Sequence, residues 1–134
     1  MLSRRDHLYT LNTLNYSMNE TSFGKSAFTE VLGDTPRNRV WQFLISSRGM
    51  DYTKTQVADC TETSRLAVFK VWKDFIRFNI IKKTRTMGKG DYFILDLDNP
   101  IVQHMIKIYK VILNQTLEQG EKIAQPISVG APHV

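Results

Sequence analysis

Eight basic side chains crowd residues 64–89 of the chain: Arg65, Lys70, Lys73, Arg77, Lys82, Lys83, Arg85 and Lys89. Asp74 is the only acid among them. Groups of this kind hold anions. A guanidinium offers a planar fork of donors that matches a phosphate or a base edge, and an ammonium acts as a point charge. The local excess of +7 exceeds the net charge of the whole chain, +5 from 18 Lys+Arg and 13 Asp+Glu, so the remaining residues are slightly acidic. A charge run alone is usually a solvated face, so this one needs a structural context before it counts as a binding surface.

No other set of residues points to chemistry. His7, His104 and His133 are far apart and lack ligand spacing, which predicts no metal site. The single cysteine, Cys60, excludes an internal disulfide and a Cys-rich zinc site, and reads as a small buried hydrophobe in a reduced, cytoplasmic protein. No nucleophile–base pair or paired carboxylates stand out. Gly88-Lys89-Gly90 lacks the spacing of a phosphate loop and reads as a turn. The expectation is a non-enzyme with no cofactor and no indicated small-molecule ligand. No run approaches the 18 or so apolar residues of a membrane helix, and no apolar stretch follows Arg4 and Arg5 as in a signal peptide.

The elements that must position the basic residues can be read from caps and periodicity. At 134 residues the chain suits one domain. Ser26 to Leu32 suggests a short helix ended by Gly33, with Phe28, Val31 and Leu32 as its apolar side. Asp34-Thr35-Pro36 caps a helix over about residues 35–48. Its apolar face is Val40, Trp41, Phe43, Leu44 and Ile45, with Gln42 opposite. Met50-Asp51-Tyr52 is a short extended connector. Thr53-Lys54-Thr55-Gln56 is a capping box opening a short helix to about Cys60. After a tight turn at Thr61-Glu62-Thr63, Thr63 or Ser64 caps a third helix. Leu66, Val68, Trp72, Phe75 and Ile76 form its expected buried stripe, with Val71 at the margin. Asn79 suits the left-handed residue that ends it. Two β-favouring runs flank Met87-Gly88-Lys89-Gly90 as a hairpin. Asp98-Asn99-Pro100 then opens a last helix.

Two short helices joined by a tight turn and followed by a basic hairpin specify a winged helix-turn-helix. The expected class is therefore mainly α with a small β-hairpin, followed by a long C-terminal helix. In that arrangement the second helix of the pair enters the major groove of DNA and the hairpin touches the backbone or the minor groove. The basic excess lies on these two elements, which raises it from a solvated face to an expected surface for double-stranded DNA. Recognition helix 64–78 then offers Arg65 as a guanine contact, with Lys70 and Lys73 on phosphate or base. Thr63 and Ser64 either contact DNA or cap. Phe69 either packs on a sugar or thymine methyl or fills the core edge. Arg77 touches the backbone or pairs with Asp74. In wing 82–92, Lys83, Arg85 and Lys89 are phosphate or minor-groove contacts and Gly88 makes the turn. Thr53 and Lys54 can hold a phosphate at their helix N-terminus.

The chain also resembles archaeal winged helix-turn-helix transcriptional regulators, including those of archaeal plasmids and viruses. The matching pieces are Leu32-Gly33-Asp34-Thr35-Pro36, Arg39-Val40-Trp41-Gln42-Phe43-Leu44, Asp51-Tyr52-Thr53, Ser64-Arg65, Lys70-Val71-Trp72, residues 80–88 and Asp98-Asn99-Pro100-Ile101-Val102. They cover about residues 28–113. Asn79 departs from the family's usual Gly before the wing, and Trp72 and Phe75 from its commoner aliphatics.

The last helix carries two apolar rows, and a small domain covers one. The other is expected to meet a second copy through Ile101, Met105, Ile108, Tyr109, Ile112 and Leu113. The alternative is that the N-terminal segment covers it within one chain. The organisation expected is a polar arm over 1–25, a DNA-binding domain over 26–99, a dimerisation helix over 100–119 and a tail over 120–134. The leading function is a nucleoid-associated repressor that occludes a promoter. The alternative is a plasmid or viral replication or partition protein using the same surface.

Overall fold

The computed structural model describes residues 26–124, with side chains to residue 119. The elements run α1 (Ala27–Leu32), α2 (Pro36–Ser46), α3 (Lys54–Cys60), α4 (Arg65–Arg77), β1 (Ile81–Met87), β2 (Gly90–Leu95) and α5 (Pro100–Ala124). The strands form a two-stranded antiparallel hairpin. Tyr52 adds an isolated bridge to Phe93, so the connector before α3 is extended as its sequence implies. The fold is a winged helix-turn-helix with a long last helix. No helix among the described residues is long and apolar enough to cross a membrane. The expected polar arm over 1–25 lies outside the described residues, as do residues 125–134.

Local capping explains most boundaries. Thr35 Oγ1 accepts from Asn38 N at 3.1 Å, with Pro36 at the first helical position. Thr53 and Gln56 complete the reciprocal capping box at 3.1 and 2.9 Å. Ser64, rather than Thr63, caps α4 by accepting from Ala67 N at 3.1 Å. The Thr63 hydroxyl donates instead to Thr61 O at 3.0 Å. Asn99 Oδ1 accepts from Ile101 N at 2.7 Å and opens α5. That helix runs to Ala124, five residues past the expected boundary at 119, because the added Glu, Lys and Ala are good helix formers and outweigh Gly120.

Two left-handed residues end the paired helices. Asn79 (φ 58°) follows α4, and its motif closes through Ile80 N to Phe75 O at 2.9 Å. Glu62 (φ 55°) does the same after α3, with Thr63 N bonded to Ala58 O at 3.1 Å. The sequence reading identified the first and not the second, because Glu is an unusual occupant of this conformation.

The core gathers around α2, which touches α1, α3, α4, α5 and β2. Trp41 packs on Phe75 with ring centroids 4.9 Å apart, Phe43 on Tyr52 at 4.9 Å, and Trp72 edge-on to Phe93 at 5.8 Å. Such pairs add about 0.5–1.5 kcal/mol beyond area burial. Because α2 is central, Gln42 is buried rather than exposed, and its Oε1 has no hydrogen-bond partner among the described residues. Trp72 Nε1 is likewise buried without one. Cys60 is buried, and its thiol is pushed up to about 11, chiefly by desolvation.

Other expectations are corrected. Val31 and Leu32 are exposed, and Thr29 joins Phe28 inside, since α1 is too short to bury more than one side. On α4 the buried face is Val68, Val71, Trp72 and Phe75. Val71 is inside, while Leu66 and Ile76 are exposed at 69% and 42%. The helix sits half out of the domain, so its apolar stripe is narrower than the sequence implied.

Relieving the left-handed strain tests the turn. Glu62→Gly is expected to raise stability by about 0.5–1 kcal/mol and Glu62→Val to lower it. The midpoint of urea unfolding is the measurement; equal midpoints for both variants would refute the assignment of strain.

Candidate nucleic-acid interface

Helix α4 presents one row directly away from the core. Leu66, Lys70, Lys73 and Arg77 stand at i, i+4, i+7 and i+11, which places them within roughly 60° of one another at 100° per residue. All four are exposed. Arg65 lies off this row. It leans toward α3, where its Nη2 is 3.8 Å from Asp59 Oδ1. Phe69 is half-buried against the core, and Lys54 Nζ stands 4.3 Å from its ring centroid. Lys54 and Thr53 begin α3, with the Thr53 side chain committed to its cap.

The first turns of α2 and α4 open onto a groove of about 550 Å³, whose lining includes Pro36, Arg37, Ser64, Leu66 and Lys70. Arg37 was not singled out by sequence. Its Nη2 donates to Asp74 Oδ2 at 2.7 Å, closer than the expected Arg77–Asp74 pair at 3.8 Å. The Arg37 guanidinium holds the Asp74 carboxyl below its ordinary value.

The wing begins as expected but is held differently. Met87 pairs with Gly90, leaving Gly88-Lys89 as a two-residue turn with positive φ at Gly88 alone, the pattern of a type II′ turn. Gly90 lets the wing approach α3 closely: a Cβ there would lie 3.0 Å from Thr53 Cγ2. The wing therefore rests on the start of α3. A bulge between Lys83 and Arg85 leaves Thr84 unpaired and lets two successive side chains reach Asp51. Thr84 Oγ1 donates to Asp51 Oδ2 at 2.6 Å. Arg85 Nε and Nη2 donate to the two Asp51 oxygens at 2.9 and 3.1 Å. The Arg85 guanidinium also lies 4.2 Å from the Tyr92 ring centroid and donates to Met87 Sδ at 2.9 Å. The hydrogen bond from Arg85 is the main reason the Asp51 carboxyl sits below its ordinary value. Lys83 Nζ is 3.5 Å from Asp91, and Lys82 Nζ is 3.9 Å from Asp96.

Five of the eight bases therefore have a carboxylate within 4 Å: Arg65, Arg77, Lys82, Lys83 and Arg85. Lys70, Lys73 and Lys89 have no ion pair among the described residues. Two lie on the outer row of α4 and one at the wing tip. Among the described residues, no three His, Cys, Asp or Glu side chains are grouped to hold a metal ion.

The expected dimer row on α5 is only partly free. Ile112 is buried within the chain, and Met105 and Tyr109 pack against the core, Tyr109 with its ring 5.8 Å from Phe28. The cause is α1, which lies against α5 and takes the middle of the apolar arc. Ile101, Ile108 and Leu113 remain exposed, joined by Val111 and Leu117.

No protein-family model and no curated protein matches the chain. Solved structures do. MepR, a transcription regulator of the Staphylococcus aureus multidrug efflux pump MepA, is 11% identical, with 91% of this chain and 93% of that chain covered and a TM-score of 0.52. An apo mutant of Lactococcus lactis ZitR is 19% identical, covering 91% and 84%, with a TM-score of 0.51. ZitR itself, a zinc-responsive MarR family member, is 18% identical over 95% and 96%, with a TM-score of 0.49. The likeness to MepR and to the ZitR mutant shows the fold alone. They lend no support to an archaeal source.

The Asp51 contacts give a pH test. A carboxyl whose folded pKa is depressed contributes stability above its unfolded value, and that contribution is lost as pH falls through the folded one. Asp51→Asn is expected to lower the thermal midpoint near pH 7. The gap from wild type should narrow as pH drops below the ordinary 3.8. A gap independent of pH would show that charge plays no part in holding the wing.

Proposed function

We propose that the chain is a sequence-specific DNA-binding transcriptional regulator that acts as a homodimer and represses by occluding a promoter. Residues 26–99 form the DNA-binding domain, with recognition helix 64–78 in the major groove and wing 82–92 along the backbone or minor groove. The observation that carries this reading is the position of Lys70, Lys73 and Lys89. On two separate elements, these cations stand exposed with no carboxylate within 4 Å among the described residues, Lys73 acting on the Asp74 carboxyl only at longer range. The fold shared with transcription regulators supports the same reading. Fold alone does not establish function; the exposed cations on these two elements point to a polyanionic partner.

The paired bases then take other roles. Arg85, with Asp51, Tyr92 and Met87 as partners, sets the angle of the wing more than it contacts phosphate. Arg65 stands at the edge of the reading surface, and its loose pair with Asp59 leaves donors free for a guanine. Thr63 and Ser64 serve the turn and the cap. On α5, Ile101, Ile108 and Val111 form an exposed apolar strip for a second copy, in place of the buried Ile112, with Leu113 and Leu117 on the opposite flank of the buried arc.

Binding of the chain's own upstream DNA, followed across a salt series, tests the DNA reading. Lys70→Ala, Lys73→Ala and Lys89→Ala should each weaken binding and reduce the slope of log K against log salt by about one per copy bound. Arg85→Ala should instead lower the thermal midpoint. Salt-independent binding, or none, would refute the proposal. For the dimer, Ile108→Glu is expected to shift sedimentation from dimer to monomer and to abolish preference for paired half-sites about 34 Å apart. A wild-type chain that sediments as a monomer, bound or free, would overturn it.

A further inference from the structure

Leu66 is the most exposed large hydrophobic residue described, at 69%. It lies on the first turn of α4, just after the Ser64 cap, in the outward row with Lys70 and Lys73. Val68, Val71, Trp72 and Phe75 face the opposite way into the core. Isolated surface leucines are common and need no explanation. This one differs in its setting. The charged side chains within two turns of it on α4 are Arg65, Lys70 and Lys73, all basic, and Arg37 and Lys70 line the groove beside it. An apolar peptide would gain nothing from such a rim. A polyanion whose surface also carries methyl groups would gain from both parts. The major groove has this character, because thymine projects its 5-methyl group beside the phosphates.

We propose that Leu66 is a specificity-determining residue that packs on a thymine methyl in each half-site. The inference rests on the DNA-binding reading above and adds a particular base to it. The N-terminal residues of a recognition helix are those that reach base edges. A leucine there has no polar atom to satisfy, so it favours thymine over cytosine through the methyl and through the absence of a hydrogen-bonding demand. Lys70 and Lys73, one and two turns further along the row, anchor the flanking phosphates without reading sequence.

The test uses the full chain and a site selected from a random DNA pool. Each thymine of that site is replaced singly by deoxyuridine, which removes only the 5-methyl group. For the wild type, one position per half-site should lose about three- to five-fold in affinity, the size expected for one buried methyl. Leu66→Ala should bind thymine and uracil equally there. Lys70→Ala should bind more weakly but keep the preference. Leu66 is exposed and alanine is a strong helix former, so the variant should keep its fold, which a thermal melt verifies. A preference unchanged in Leu66→Ala, or absent in the wild type, overturns the assignment while leaving DNA binding intact. A Leu66→Ala variant that alters self-association but not the preference also overturns it, in favour of a protein contact. If no selected sequence binds better than random DNA, the functional reading fails and the leucine's role fails with it.

Discussion

The direction in which α4 presents its outer row depends on the four residues from Thr61 to Ser64. Thr61 is fully buried, and its hydroxyl donates to Val57 O at 2.8 Å. Glu62 takes the left-handed conformation that reverses the chain. The two carbonyls at the bend, Thr61 O and Glu62 O, accept from Arg39 Nη1 at 3.1 and 3.2 Å. Arg39 is itself held by Asp34 through Nε at 2.7 Å and Nη2 at 3.1 Å. One guanidinium thus fastens the start of α2 to the bend between α3 and α4. Carbonyls at helix ends need partners, and a charged donor is among the strongest available. A small rotation at this bend would swing the 13-residue α4 as a lever and turn Lys70 and Lys73 away from a common surface.

The far end of α4 is fixed by a different device. Asn79 reverses the chain, and Asn99 Nδ2 donates to Phe78 O at 3.0 Å and Asn79 O at 2.7 Å. The same Asn99 caps α5, so the end of α4, the entry to the wing and the start of the last helix meet at one side chain. The wing is then held from three sides, by Asp51, by Thr53 and by the Tyr52–Phe93 bridge. Exposed ion pairs contribute little stability individually, usually under about 1 kcal/mol. Their effect here is positional. The acids take up bases that set geometry and leave Lys70, Lys73 and Lys89 without a carboxylate within 4 Å among the described residues.

The parts legible in the sequence are those decided within three or four residues. Caps at Thr35, Thr53, Ser64 and Asn99, the left-handed Asn79 and the Gly88 turn are all local, so residue type and spacing suffice to find them. The order of elements followed from these marks. What could not be read was decided across the fold. Asp51 and Arg85 are 34 residues apart and Arg37 and Asp74 are 37 apart, with no periodicity to relate them. Gln42 is buried because five elements surround α2, which no property of α2 alone announces. Ile112 was assigned to the outer row and lies inside for the same kind of reason, since α1 covers that arc. Leu66 was misread because its spacing fits the buried stripe of α4, and only the orientation of the helix places it outside.

That misreading has a physical content that joins the two ends of the molecule. An apolar residue left in water is tolerated where it costs little or where a partner removes it from water. On α5 the uncovered residues flank the arc that packs on the core, and a second copy of the same helix would cover one of those flanks. On α4 a single leucine stands among cations, where a second copy would bring the same positive charge and be repelled. The two surfaces therefore suit different partners. They are also mechanically linked, because Asn99 joins the end of α4 to the start of α5. In the proposed dimer, pairing through α5 would set the spacing of the two α4 helices, so self-association and base reading would depend on the same side chain.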